Sequence, residues 1–169
     1  MTHHAPIVRG PADGDDLWFA NSLLTIKASS RETGGAFLLL ELRSPRGKTT
    51  PLHAHPDEDE SFYVLDGELI VHIDGEEHRG GPGAFVSVPR GTPHAFLVTS
   101  ETAHFLVVMT PGSPNAEAFF REAGDPAAEH APPPLAPLDI PRLQAAAEHT
   151  GSMNLLGPPP FELAAPPVA

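Results

Sequence analysis

Three histidines and one glutamate are spaced as metal ligands in two short segments of this chain. In the first segment, residues 47–67, His53 and His55 stand one residue apart and Glu60 follows five residues later. A third histidine, His94, lies 34 residues beyond Glu60. Imidazole nitrogens and carboxylate oxygens are donors that zinc and other first-row transition metals take from proteins. The spacing therefore predicts one metal site that is built from both segments.

An extended strand would place the first two histidines on one face. Side chains at i and i+2 of a strand point the same way, roughly 7 Å apart along the backbone. Both imidazoles can then converge on one ion about 2.0–2.1 Å from each nitrogen. The polar run from Pro56 to Asp59 is typical of a turn, in which Glu58 is expected to be solvated. The chain then re-enters a strand, and Glu60 stands at its start as an oxygen ligand.

The composition limits the partners of the chain. Its 169 residues suit one domain, and a net charge of −12 disfavours binding to nucleic acids and to anionic membranes. Cysteine is absent, so no thiol chemistry is expected. No apolar run approaches the roughly 18 residues of a membrane helix, and the N-terminus lacks the apolar core of a signal peptide. These features predict a cytoplasmic protein.

The elements that must position the ligands are short strands separated by turns. Strand-like runs extend from Leu17 to about Met109, with breaks at turns that contain glycine or proline. Asp74-Gly75 favours a type I′ hairpin, because this turn needs positive φ at both central residues. Many short strands at regular spacing predict an all-β fold, closed as a barrel or stacked as a double sheet.

Three regions are predicted along the chain: an N-terminal arm at 1–16, a β-barrel at 17–110 and a C-terminal extension at 111–169. In the extension, helical patterns cover residues 116–123 and 139–149, and each is followed by a glycine stop. The stretch 125–138, rich in alanine, proline and acidic residues, is predicted to be a linker. The proline-rich end from residue 157 onward is predicted to be extended or disordered.

The two segments resemble the paired motifs of the cupin superfamily. Residues 47–67 fit G-x5-H-x-H-x4-E-x6-G and residues 83–94 fit G-x5-P-x-G-x2-H, both without departure. The family's second motif usually continues to an asparagine, which is not a ligand, where this chain has Val98. The resemblance implies a double-stranded β-helix, the cupin jelly-roll barrel, to which this chain adds short C-terminal helices. It also implies four metal ligands: His53, His55, Glu60 and His94.

A looser resemblance covers the whole chain and is to bacterial single-cupin proteins of the quercetin 2,3-dioxygenase type. It rests on Leu17-Trp-Phe near the N-terminus, the cupin core, a helix that contains Phe119-Phe-Arg-Glu, and Leu155-Leu-Gly-Pro-Pro near the C-terminus. Proteins of this kind often dimerise through edge strands. The resemblance therefore implies a homodimer, for which an exposed strand edge near the N-terminus is a suitable place.

Three neutral imidazoles and one carboxylate leave open positions on a divalent ion. Such a donor set suits Fe, Mn, Co, Ni or Zn. Strand parity places mostly apolar side chains on the same inward face, which predicts a cavity for an apolar or aromatic small molecule. The predicted pocket residues are Phe37, Phe62, Phe96, Phe105 and Val107. The same residues equally suit a plain barrel core, because small barrels fill their interiors with side chains.

The leading hypothesis is a metal-dependent dioxygenase that uses O₂ on a phenolic or enolisable aromatic substrate, such as a flavonol. The metal would acidify the substrate hydroxyl, and Glu60 would be the catalytic proton acceptor. One alternative is a non-oxidative lyase, isomerase or cyclase that uses the same polarisation without O₂. Another is a non-catalytic, metal-bearing protein that binds small molecules. Direct contact with DNA is disfavoured, because the sequence shows neither a helix-turn-helix segment nor a basic patch.

Overall fold

The structure, a computed structural model, describes residues 5–161. Twelve strands and two helices are found in this range. The strands are β1 (Asp15–Phe19), β2 (Ser22–Ala28), β3 (Leu38–Pro45), β4 (Leu52–Ala54), β5 (Asp59–Asp66), β6 (Leu69–Ile73), β7 (Glu76–Gly80), β8 (Phe85–Val88), β9 (His94–Val98), β10 (Thr102–Thr110), β11 (Asp125–Pro126) and β12 (Asn154–Gly157). The helices are α1 (Pro114–Ala123) and α2 (Ile140–Thr150).

Two antiparallel sheets face each other around the core. One has the strand order β11-β1-β2-β3-β10-β5-β8 and the other the order β12-β4-β9-β6-β7. From β3 to β10 the chain passes repeatedly between the sheets, so that consecutive strands lie on opposite walls, apart from the β6–β7 hairpin. This arrangement confirms the predicted all-β fold, a double-stranded β-helix with short C-terminal helices.

Alternating side chains explain why these segments form strands with one face in the core. In β10, Ala103, Phe105, Val107 and Met109 are buried, whereas the residues between them are more exposed. This period of two matches the geometry of a strand with a single buried face. Burying each large apolar side chain contributes about 1.5–3 kcal/mol to folding. The hairpin between β6 and β7 turns at Asp74-Gly75 with φ of 47° and 93°, which confirms the two positive φ angles predicted there.

The stretch 125–138, predicted to be a linker, is bound to the barrel. Its first two residues form β11 and pair with β1. The indole Nε1 of Trp18 donates to the carbonyl of Ala131 at 2.9 Å, and the Asn21 amide exchanges two hydrogen bonds with the backbone of Ala136 at 2.7 and 3.0 Å. Partners from the β1–β2 hairpin therefore hold a segment whose own composition gives no sign of order.

Both helices begin and end with capping contacts. The side chains of Ser113 and Asp139 accept hydrogen bonds from the first turns of α1 and α2, and Gly151 ends α2 in the left-handed conformation. The chain then forms β12, which pairs with β4. The proline-rich end from residue 157 onward, predicted to be extended or disordered, is described only as far as residue 161, and residues 162–169 lie outside the described part of the chain. Neither described helix combines the length and apolar character needed to cross a membrane.

The two outer strands of the seven-stranded sheet are β11 and β8. The edge expected to be exposed near the N-terminus, β1, is covered by β11 at Leu17 and Trp18. At the opposite edge, β8 presents Phe85, which is 66% exposed. The homodimer stays a prediction.

Candidate metal centre and its cavity

The four predicted ligands meet between the two sheets. His53 lies on β4 directly opposite His94 at the start of β9, and His55 follows the end of β4. Glu60 reaches them from β5 in the facing sheet. One ligand atom from each residue lies within 4.8 Å of all the others, and all four residues are buried. These four residues could hold a metal ion.

Backbone carbonyls fix the orientation of all three imidazoles. Each ring places Nδ1 against a carbonyl oxygen: His53 against Pro51 at 2.8 Å, His94 against Thr92 at 2.8 Å, and His55 against Ser152 at 3.1 Å. Because a carbonyl only accepts hydrogen bonds, Nδ1 carries a proton in each ring, so that Nε2 has the free lone pair whenever the ring is neutral. All three histidines are thereby set as Nε2 donors.

The contact between Glu60 and His94 shows that the site suits a cation. The Oε2 atom of Glu60 lies 2.7 Å from Nε2 of His94 and 3.5 Å from Nε2 of His55. Two lone pairs at the shorter distance repel each other unless the two atoms share a proton or both bind the same metal ion. The donor types, the burial and this geometry together fit a divalent ion.

Burial and charge set the protonation of the cluster. Burial, aided by the charges of His94 and His55, lowers the pKa of His53 to about 3, so its ring is neutral. Burial raises the pKa of Glu60, but hydrogen bonds from His55 and His94 outweigh it and hold that pKa well below the ordinary value. For His55, burial lowers the pKa, and the hydrogen bond and charge of Glu60 more than compensate and raise it. Glu60 is therefore a carboxylate at neutral pH.

Glu58 is buried, contrary to the expectation of a solvated loop carboxylate. Its Oε1 accepts a hydrogen bond from the hydroxyl of Ser113, the residue that caps α1. Its Oε2 has no hydrogen-bond partner among the described residues. The burial of Glu58 has a physical cause, since Ser113 supplies the donor that allows this carboxyl group to leave water. The ligand-bearing loop is thus tied to the first C-terminal helix.

A cavity of about 50 Å³ opens beside His53 and Glu60. Strands β2, β3 and β10 supply part of its apolar lining. The remainder comes from a surface that we name the C-terminal wall, formed by Phe119, Phe120, Leu143, Met153 and Leu155. A few polar residues within a mostly apolar lining are typical of a site for a small organic molecule.

The five predicted pocket residues lie in three places: in the lining of the cavity, in the aromatic core beside it, and outside it. Phe96 and Val107 line the cavity. Phe62 and Phe105 do not line it, because they are fully buried in an aromatic cluster with Phe96, at ring-centroid distances of 5.9 and 5.3 Å from it. Phe37 precedes β3 and is 36% exposed, outside the cavity. Parity gives the face of a strand on which a residue lies but not its depth in the barrel, and three of the five residues therefore lie away from this cavity.

Sequence reasoning missed Lys48 and most of the C-terminal wall. Lys48 lies five residues before His53, is 1% exposed and lines the cavity. A signal existed, because Lys48 is one of only two lysines in a strongly acidic chain and stands in the first motif. For Met153 and Leu155 no local signal existed, since their place depends on the return of the chain as β12.

Known proteins match this chain in sequence and in fold. Residues 40–109 match the family model of the cupin domain. The chain is 34% identical over 125 residues to quercetin 2,3-dioxygenase of Bacillus subtilis, in a match that covers 74% of this chain and 36% of that protein. The chain spans between 36% and 49% of the length of the curated relatives that it matches.

Two solved structures show the likeness in fold. A predicted oxalate decarboxylase from Thermotoga maritima superposes with a TM-score of 0.56 at 21% identity, covering 62% of this chain and 97% of that one. The polyketide cyclase RemF from Streptomyces resistomycificus gives a TM-score of 0.50 at 24% identity, covering 64% and 79%. At these identities the likeness concerns the fold alone. With its two motifs, its matched domain and its double sheet, the chain belongs to the cupin superfamily and resembles its quercetin 2,3-dioxygenase-like members.

Proposed function

We propose that this chain is a metal-dependent dioxygenase that acts on a phenolic or enolisable aromatic substrate. The metal ligands are His53, His55, Glu60 and His94. The observation that carries the proposal is the opening of this buried, charged cluster into a cavity with apolar walls. The similarity to quercetin 2,3-dioxygenase over 74% of the chain supports the reaction type.

The donor set suits Fe, Mn, Co, Ni or Zn and leaves coordination positions for other molecules. A bound ion of this kind supplies Lewis-acid polarisation, which acidifies a substrate hydroxyl group. Three fixed imidazoles hold the position of the ion, because each Nδ1 is anchored to a backbone carbonyl.

Glu60 is the residue that accepts the substrate proton. Its carboxylate is ionised at neutral pH and lies at the edge of the cavity. The apolar surfaces of Phe96 and Val107 hold the body of the substrate and exclude water from the reacting atoms. Exclusion of water strengthens the electrostatic contacts of the carboxylate with its partners.

The size of the cavity favours a compact substrate. Its volume of about 50 Å³ is well below the roughly 300 Å³ at the lower end of typical ligand sites. A flavonol would enter after a large displacement of the C-terminal wall, whereas a small enolisable molecule would need a smaller one. Assays should therefore span both sizes.

The test uses protein reconstituted separately with each of the five metals. Oxygen uptake is measured with the flavonol quercetin and with a small 1,3-diketone, and carbon monoxide release is followed with quercetin. At least one metal is expected to support substrate-dependent oxygen uptake, and Glu60→Gln is expected to reduce it at least about 100-fold, in line with the loss of a general base. Absence of uptake with both substrates and all five metals would reject a dioxygenase of this class.

The same preparations distinguish the other candidates. Turnover of the substrate under strict anaerobiosis would indicate a non-oxidative lyase, isomerase or cyclase. Ligand binding that survives Glu60→Ala without any turnover of the unaltered protein would indicate a non-catalytic binding protein. Light scattering tests the proposed homodimer, and fractionation of cells tests the proposed cytoplasmic location.

A further inference from the structure

Lys48 is a buried amine without a charged partner in the described part of the chain. Its backbone is fixed in the turn before β4, where its N–H donates to Pro45 and its carbonyl accepts from Val98, at 3.1 and 2.9 Å. The side chain is 1% exposed, and its Nζ donates to the carbonyl of Thr49 at 2.9 Å. An ammonium group has three donors, so two remain for other acceptors.

The surroundings of Lys48 give no structural reason for a lysine. The Nζ lies 5.3 Å from the ring centroid of Phe96 and 5.9 Å from that of Phe19. These contacts offset only part of the cost of burial, since a cation over an aromatic ring contributes about 0.5–2 kcal/mol. Methionine would fill the same space without that cost. Burial lowers the pKa of Lys48 to about 7, which shows how little in the protein stabilises its charge.

The place of Lys48 relative to the metal cluster suggests what its free donors bind. Lys48 lines the same cavity as His53 and Glu60. Most of the other residues that line it are apolar, among them Leu40 and Val107. A molecule in this cavity can therefore reach two kinds of polar group, the residues of the metal cluster and the amine of Lys48, within a mostly apolar lining.

We infer that Lys48 is a substrate-binding residue that donates hydrogen bonds to an anionic oxygen of the substrate. The substrate class is thereby narrowed to aromatic or enolic molecules with two separated oxygen functions, one for the metal and an acidic one for Lys48. The inference deepens the proposed function and rests on it for the role of the metal. An anion beside Nζ would also stabilise the charged amine, so that protein and ligand each neutralise the other.

The test compares the binding of 4-hydroxybenzoate with that of its neutral isostere, 4-hydroxybenzamide. Isothermal titration calorimetry without O₂ measures both probes on the metal-loaded protein, the chelator-stripped protein and the metal-loaded Lys48→Met variant. The unaltered protein is expected to prefer the carboxylate at least tenfold with and without metal. Lys48→Met is expected to lose that preference, to bind the amide within threefold of the unaltered protein, and to keep its metal content. Lys48→Arg, which keeps the charge, is expected to retain part of the preference.

Three results would overturn the inference. They are a preference for the carboxylate that persists in Lys48→Met, no preference in the unaltered protein, and no measurable binding of either probe by the unaltered protein. A preference seen only with metal and unchanged in Lys48→Met would make the metal ion the acceptor of the anion. The binding assay needs no turnover, so its failure is separate from that of the dioxygenase proposal, which depends on oxygen uptake.

Discussion

The site has two sides, the cluster of proposed ligands and the C-terminal wall. The contacts that hold them in place differ greatly in sequence separation. On the ligand side, His53 and His94 are each oriented by a carbonyl only two residues away. On the side of the C-terminal wall, His55 is oriented by Ser152, which is 97 residues distant. The ligand side is therefore set largely by local backbone geometry, whereas the wall depends on the packing of remote segments. Substitutions on the two sides should consequently affect different properties.

The largest effect is expected from the loss of a ligand. His94→Ala removes one of four donors and leaves Glu60 without its 2.7 Å contact. Metal affinity should fall more than about 100-fold, since altering even an outer-shell partner typically costs 10–100-fold. Metal content after dialysis, measured by mass spectrometry, checks this. His149→Ala is the matched control. His149 is exposed and pairs with Glu122, and both residues lie well after the proposed ligands in the sequence. Equal metal content in both variants would remove His94 from the ligand set.

The next largest effect is expected on the other side of the site, and on stability. Phe119 is 1% exposed on α1, with its ring 5.8 Å from that of Phe19 and 5.4 Å from that of Phe120. Phe119→Ala should lower the free energy of unfolding by about 3–5 kcal/mol, because it leaves a cavity in packed aromatic surroundings. Its metal affinity, measured on the folded fraction, should change less than tenfold.

Phe85→Ala is the control for this stability prediction. Phe85 is 66% exposed on the edge strand β8, so its loss should change the free energy of unfolding by no more than about 0.5 kcal/mol. Denaturant unfolding measures both variants under the same conditions. If Phe119→Ala cost no more than Phe85→Ala, the wall would not be packed as described.

The same contrast explains what the sequence could and could not predict. The proposed ligands His53, His55, Glu60 and His94 are predicted from residue types, from a strand period of two and from the cupin motifs, and the structure brings all four together. The depth of Phe62 and Phe105 in the barrel depends on how the sheets stack, which no local pattern reports. The order of 125–138 depends on Trp18 and Asn21, more than 100 residues earlier in the chain. Residue spacing in the sequence thus predicts the ligands but does not predict how distant segments pack together.

Lys48 lines the cavity together with residues of the ligand cluster and of the C-terminal wall. Its effect on the free energy of unfolding should depend on pH. Its pKa is about 7 in the folded protein because of burial, against 10.5 for the ordinary group. Between these values the unfolded chain binds more protons, so stability of the unaltered protein should rise as the pH rises. Lys48→Met removes this cost and should be stabilised by about 2–4 kcal/mol at pH 7, judged from about 1.4 kcal/mol for each pKa unit and discounted for relaxation.

The pH dependence separates this effect from ordinary packing. The advantage of Lys48→Met should be complete at and below pH 7 and should shrink toward zero as the pH approaches 10.5. Denaturant unfolding of both proteins at pH 7, 8, 9 and 10 measures it. A difference that stays constant over this range would show that Lys48 is not buried as an amine without a charged partner.

The smallest effect is expected at Gly151, where the wall meets the ligand side. Gly151 has φ of 66° and precedes Ser152, whose carbonyl holds Nδ1 of His55. A Cβ at Gly151 would meet no atom within 4 Å, so the cost of Gly151→Ala is backbone strain alone, about 1 kcal/mol. Gly151→Asn should cost less, because asparagine adopts the left-handed conformation more readily.

Metal affinity should follow the same order as stability at this position. A shift of the Ser152 carbonyl weakens the hydrogen bond that keeps the proton on Nδ1 of His55. This histidine is the proposed ligand that is oriented from the segment next to Met153 of the C-terminal wall. Gly151→Ala should therefore bind metal a few-fold more weakly than Gly151→Asn, with thermal melting and metal titration measured side by side. If the two variants melted at different temperatures and yet bound metal equally, the wall would support the barrel without tuning the ligand, and the two sides of the site would be energetically independent.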